Sequence, residues 1–217
     1  MTSSSTETDT DRDQRLRDAV AARDIASVVA LCGEGGNPSA KDVGGCTALH
    51  LAMEDECPLE IAKHLLHQPG VQVTVCDVRG RTPLHHALDH RLGQERREIT
   101  ERLLGCGADP NAQDDLGNAP FFALNHARMF EGEIALIDFL KAQGAHLDLQ
   151  NNVGHNMLED AIVSTTDLEA IPDPKGWLRL MRHLLSTIGL NIDPATFTGE
   201  EPFEVWFATM EATHFGS

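Results

Sequence analysis

Two series of glycines run through this chain in step. Gly45, Gly80, Gly117, Gly154 and Gly199 recur at spacings of 35, 37, 37 and 45 residues. Gly36, Gly70, Gly107, Gly144 and Gly189 alternate with them in the same order and at nearly the same period. One such series rarely aligns by chance, and two in phase almost never do. Self-similarity at this period marks a chain assembled from copies of one supersecondary unit.

The residues between the glycines carry a helical pattern. Each glycine of the first series stands two residues before a helix start. Leu84, Ala87 and Leu88 then fall at i, i+3 and i+4, and Ile99, Leu103 and Leu104 repeat one face in a second helix. Leu49, Ala52 and Met53 followed by Ile61, Leu65 and Leu66 match them. So do Leu158, Ala161 and Ile162 followed by Leu178, Met181 and Leu185. The second glycine series lies where helices end and the chain needs a left-handed residue. Thr82 suits a helix cap and Pro83 the first turn, where its missing N–H costs nothing.

With these residues in place, the sequence resembles the ankyrin repeat family. "GCTALHLA" and "GRTPLHHA" match its helix-start motif, and "LLGCGADPNAQDDLG" matches its closing helix and turn. The resemblance covers residues 14–217: a half-matched unit at 14–40, clear units at 41–76 and 77–113, weaker ones at 114–150 and 151–193, and a C-terminal remnant at 194–217. It implies an all-α solenoid of helix-turn-helix units with atypical end repeats. Ala119 and Phe122 in the third unit, and Asn156 and Glu159 in the fourth, replace the motif's Thr and His. Their expected effect is a weaker hydrogen-bonded turn at that end.

The histidines divide into two groups. His50 and His85 stand three residues after Thr47 and Thr82, a spacing at which the imidazole reaches back to the cap as Glu does in a capping box. They read as scaffold. His86, Asp89 and His90 lie opposite Leu84, Ala87 and Leu88 on a helix turning about 100° per residue. The resemblance implies that this face looks into a concave groove. Leu51, Glu54 and Asp55 are their counterparts in the first unit, His126 in the third and Asp160 in the fourth. Together they give a polar, largely acidic stripe with His at its centre. His86 and His90, one turn apart, have metal-compatible spacing with Asp89, His126 or Asp160 near them. Spacing of this kind is common among exposed histidines, and the reading assigns no metal and no cofactor.

Composition narrows the function. The 217 residues carry a net charge of −17, from 17 basic and 34 acidic side chains. Such a field repels phosphate backbones and suits a basic partner. Aromatic residues make up 5% and Tyr is absent, which argues against an aromatic-lined pocket and against base stacking. Five widely spaced cysteines, with no C-x-x-C, read as reduced thiols of a cytoplasmic or nuclear protein. No apolar leader and no membrane-length span are expected. Residues 1–13, rich in Ser, Thr and Asp, are expected to form a disordered tail. Phosphate loops, nucleophile elbows, H-E-x-x-H and dinucleotide motifs are all missing.

The preferred reading is therefore a protein-interaction module. It binds a protein or basic peptide through an acidic groove containing Leu51, Glu54, Asp55, His86, Asp89, His90, His126 and Asp160. It would act as a stand-alone inhibitor, adaptor or effector, with no nucleic acid and no membrane. A second reading makes it a small-molecule-binding protein or enzyme, with His86, His90, His126 and Asp160 as polar centre and the 164–176 insertion as lid. A third makes it mainly an oligomerisation domain. The stretches 90–98, 125–133 and 164–176 are read as insertions between paired helices.

Overall fold

The computed structural model describes residues 8–54, 57–89, 94–125, 133–164 and 174–189. Among these the regular structure is helical throughout, with no strand. The chain forms two compact units, Met1–Asp115 and Leu116–Ser217.

The first unit contains α1 (Asp9–Ala21), α2 (Ile25–Gly33), α3 (Ala48–Leu51), α4 (Leu59–Leu66), α5 (Pro83–Asp89) and α6 (Gln94–Gly105). Each odd-numbered helix packs on the even-numbered helix that follows it. Successive odd helices touch one another, as do successive even helices, so two helical layers run side by side. Leu16, Leu49, Ile61, Leu65, Leu84, Leu88, Ile99 and Leu103 fill the space between them. Leu104 is only half-buried.

The second unit contains a 3₁₀ helix (Pro120–Asn125), α7 (Glu133–Ala142), α8 (Met157–Ser164) and α9 (Pro174–His183), which runs into a π turn at Leu184–Ile188. The 3₁₀ helix packs on α7 and α8, and α7 on α9. Phe121, Leu158, Trp177, Leu178 and Met181 are buried there. The 3₁₀ form follows from the sequence: Ala119 has no side-chain acceptor for the first free N–H groups. The turn instead tightens to i→i+3, with the Phe122 N–H on the Ala119 carbonyl at 2.9 Å.

Helix ends explain the second glycine series. Gly70, Gly107, Gly144 and Gly189 all take positive φ, between 77° and 91°. At α6 the Ala108 N–H reaches back to the Leu103 carbonyl and the Gly107 N–H to Leu104, a Schellman closure. Gly36 is the exception. There Gly35 takes the left-handed role with φ of 92°, and Gly36 follows it, its N–H on the Leu31 carbonyl. A Cβ on Gly36 would stand 2.9 Å from that oxygen.

Three expectations change. Helix α1 starts at Asp9, capped by Thr8 with a reciprocal bond to Asp11, so 9–13 are helical rather than tail. An acidic first turn favours this end through the helix dipole. Residues 94–98 belong to α6, so the insertion after α5 is shorter than the 90–98 stretch expected. At the last insertion, Pro174 opens α9. The core of that insertion, the proposed lid, lies outside the described residues, as do the centre of 125–133 and the 194–217 remnant.

Candidate interaction surface

Before α3, α5 and α8 the chain makes the same finger-like turn. Asp42, Asp77 and Asn151 each stand three residues before a glycine of the first series. In each, Oδ1 accepts two backbone N–H groups: Gly44 and Cys46, Arg79 and Arg81, Val153 and His155, at 2.8–3.1 Å. Successive fingers are also bonded to one another. The Val78 N–H meets the Gly44 carbonyl at 3.0 Å and the Asp115 N–H the Arg79 carbonyl at 2.9 Å. In the second unit Asn152 N–H meets the Leu116 carbonyl at 2.9 Å. This stacking accounts for the first glycine series. Gly80 has φ of 75°, and a Cβ on it would lie 2.9 Å from the Asp115 nitrogen. The finger tips leave Val43 and Val78 of the first unit, and Leu116 and Val153 of the second, largely exposed.

The Thr–His pairs cap the helices as expected. The Thr47 N–H reaches His50 Nδ1 at 3.2 Å and the Thr82 N–H reaches His85 Nδ1 at 3.0 Å. An accepting Nδ1 puts the His50 proton on Nε2, which donates to the Arg81 carbonyl of the next finger at 3.1 Å. Burial holds the His50 pKa below its ordinary value. In the fourth unit the expected weak turn is not found. The Asn156 N–H donates to Glu159 Oε2 at 2.9 Å, and Asn156 Oδ1 accepts from Leu158 and Glu159 at 2.9 and 3.1 Å. Asn and Glu rebuild the reciprocal cap with different atoms.

His86 does not stand open on a groove. Its Nε2 lies 3.1 Å from Asp77 Oδ2, with the two side chains 17% and 8% exposed. Its ring meets that of His50 edge-on, centroids 5.2 Å apart. Burial, the Arg81 guanidinium and His50 lower its pKa to about 4 against the pull of Asp77. For Asp77, burial pushes the carboxyl up, but the N–H groups of Arg81 and Arg79 and the His86 ring outweigh it, and its pKa is lowered. Asp160 sits likewise: Asn151 Nδ2 donates to it at 3.4 Å and to Asn118 Oδ1 at 3.1 Å. In both repeats a finger Asx is tied to the residue nine positions later. The helical pattern missed this partner, although the recurrence of Asp42, Asp77, Asp114 and Asn151 three residues before the first four glycines of the first series was a legible signal.

Of the other site residues, Leu51 is half-buried and Glu54 exposed. Asp89 is exposed and pairs with Arg81 at 3.1 Å. Asp55, His90 and His126 lie outside the described residues. Of the alternative catalytic set, His86 and Asp160 fall in different units, each engaged with its own finger. Among the described residues no group of three or more His, Cys, Asp and Glu is placed to hold a metal ion. None of their helices is long and apolar enough to cross a membrane. All five cysteines are free thiols.

Residues 16–114 match the family model described as ankyrin repeats in three copies. Residues 16–114 are thus ankyrin repeats. The chain's relatives include the zebrafish (Danio rerio) protein ZDHHC13, 32% identical over 136 residues, or 62% of this chain and 20% of that protein. Rat (Rattus norvegicus) fem-1 homolog A is 28% identical, over 56% of this chain and 20% of its own length. The Arabidopsis thaliana E3 ubiquitin-protein ligase KEG is 31% identical over 77% of this chain and 10% of that protein. The ankyrin repeat chain thus spans a fifth or less of these relatives. Ankyrin repeats are in general protein–protein interaction modules, and an extended stacked surface suits a protein partner.

Proposed function

We propose that this ankyrin repeat chain binds a Lys/Arg-bearing segment of a protein partner, acting by occupancy as an inhibitor, adaptor or effector. The observation that carries the reading is the exposure, within the first unit, of Glu54 and Asp89 and of the finger tips Val43 and Val78, in a chain of net charge −17. The carboxylates attract a cationic segment and the valines give it an apolar footing. His86 serves this surface from behind, by fixing the geometry of the 77–81 finger, and Asp160 is tied in the same way to the Asn151 finger of its own unit. A cytoplasmic or nuclear setting goes with the five free thiols, and the negative charge disfavours nucleic acid and anionic membrane surfaces as partners.

The test is selection from a displayed random-peptide library, followed by salt titration of the tightest binders. Basic peptides are expected, with affinity falling as salt rises, since exposed charges farther apart than about 8 Å are screened at physiological ionic strength. Selection of neutral or acidic peptides, or affinity flat across salt, would refute the reading.

A further inference from the structure

Geometry disfavours a second proton on two imidazoles of the central repeats, His50 and His86. His50 accepts a backbone N–H at Nδ1, so its ring cannot take a second proton there without losing its cap. His86 lies edge-on to His50 at 5.2 Å, so two imidazolium ions would face each other. The charged groups around this pair are Asp77, bonded to His86, and Arg81, which follows in the same finger and pairs with Asp89. Lys41 and Asp42 act on His50 from the preceding finger. The Arg81 carbonyl at His50 and the carboxylates favour a proton, and burial and the two cations outweigh them on both rings. In the 151–164 segment Asn151, Asn156, Glu159 and Asp160 stand at the matching positions, and its one imidazole, His155, takes the place of Arg81 and meets the finger Asn through its backbone.

We propose that His50 and His86 make the 77–81 finger an acid-sensitive latch, which mild acid opens locally while residues 151–164 stay closed. The sign follows from proton uptake. An opened finger frees both rings to protonate near their ordinary value of about 6.5, whereas closed His86 does so only at about 4. The open form therefore binds more protons in that window. The stabilisation is complete above about pH 6.5 and is lost as pH falls through about 4. The consequence for binding, release of a partner seated on this finger in acid, rests on the interaction reading. The latch itself does not.

Hydrogen exchange of the full chain at pH 7.5 and 5.5, corrected for intrinsic rates, tests it. Protection of backbone amides in 77–89 is expected to fall about tenfold through His86 and further through His50, and that in 157–162 to fall much less. His86→Gln keeps an N–H donor for Asp77 without a titrating ring, and should remove about tenfold of the pH effect. Equal pH sensitivity in the two segments, or an unchanged effect in H86Q, would overturn the latch. Should H86Q fold poorly, the His86 ring resonance of the unmodified chain decides. A ring still neutral at pH 5.5 supports the latch, and titration near 6.5 overturns it. No partner enters these measurements, so their failure leaves the binding proposal standing, and failure of peptide selection leaves the latch standing.

Discussion

Gly80 and Gly107 both take positive φ, yet they differ in what surrounds them. Around Gly107 nothing lies within 4 Å of an added Cβ, so an alanine there meets only backbone strain, about 1 kcal/mol. At Gly80 the same Cβ also runs into the Asp115 backbone, and overpacking adds roughly 1–3 kcal/mol. Urea midpoints of Gly80→Ala and Gly107→Ala should fall in that order; equal midpoints would mean that the fingers are not stacked as described. His86 follows the same logic. Removing its ring strips a partner from a carboxylate that is 8% exposed, so His86→Ala is expected to cost about 1–2 kcal/mol. Glu54→Ala should stay within about 0.5 kcal/mol. The helical wheel placed His86 correctly relative to its own helix, opposite Leu84 and Leu88. It could not show that the finger folds back over that face, because a wheel holds no information about what packs from outside the helix.

Caps decide how far repeat logic extends along the chain. Thr47–His50 and Thr82–His85 were legible because the i, i+3 spacing is itself the geometry of the bond. Asn156–Glu159 was misjudged as a loss because the comparison was with a motif rather than with the atoms required: one acceptor at the cap and one reaching back from N3. Glu159→Ala should accordingly cost about 1 kcal/mol in thermal or urea unfolding of the second unit, like Thr82→Ala in the first. A neutral result at Glu159 would restore the weaker turn first expected. Where neither option survives, at Ala119, the element itself changes to 3₁₀. The helix pairs and their apolar faces were readable because period and burial coincide. Asp9–Asp13 were not, because five polar residues join a helix only through the Thr8 cap and the buried turns that follow.

For the whole chain, the proposed function assigns two roles: Glu54 and Asp89 would meet the partner, and His86 would hold the surface in shape. One paired measurement separates these roles, the affinity for a library-selected basic peptide and the urea midpoint, taken on the same samples. Glu54→Lys with Asp89→Lys is expected to weaken binding at low salt and leave the midpoint nearly unchanged. Reversal at Asp89 exchanges a partly exposed pair with Arg81, worth about 0–1 kcal/mol, for a like-charge contact of similar size that the flexible Lys can swing away from. His86→Ala is expected to lower the midpoint. The opposite pattern, binding intact after double charge reversal and a midpoint untouched by His86→Ala, would contradict both assignments.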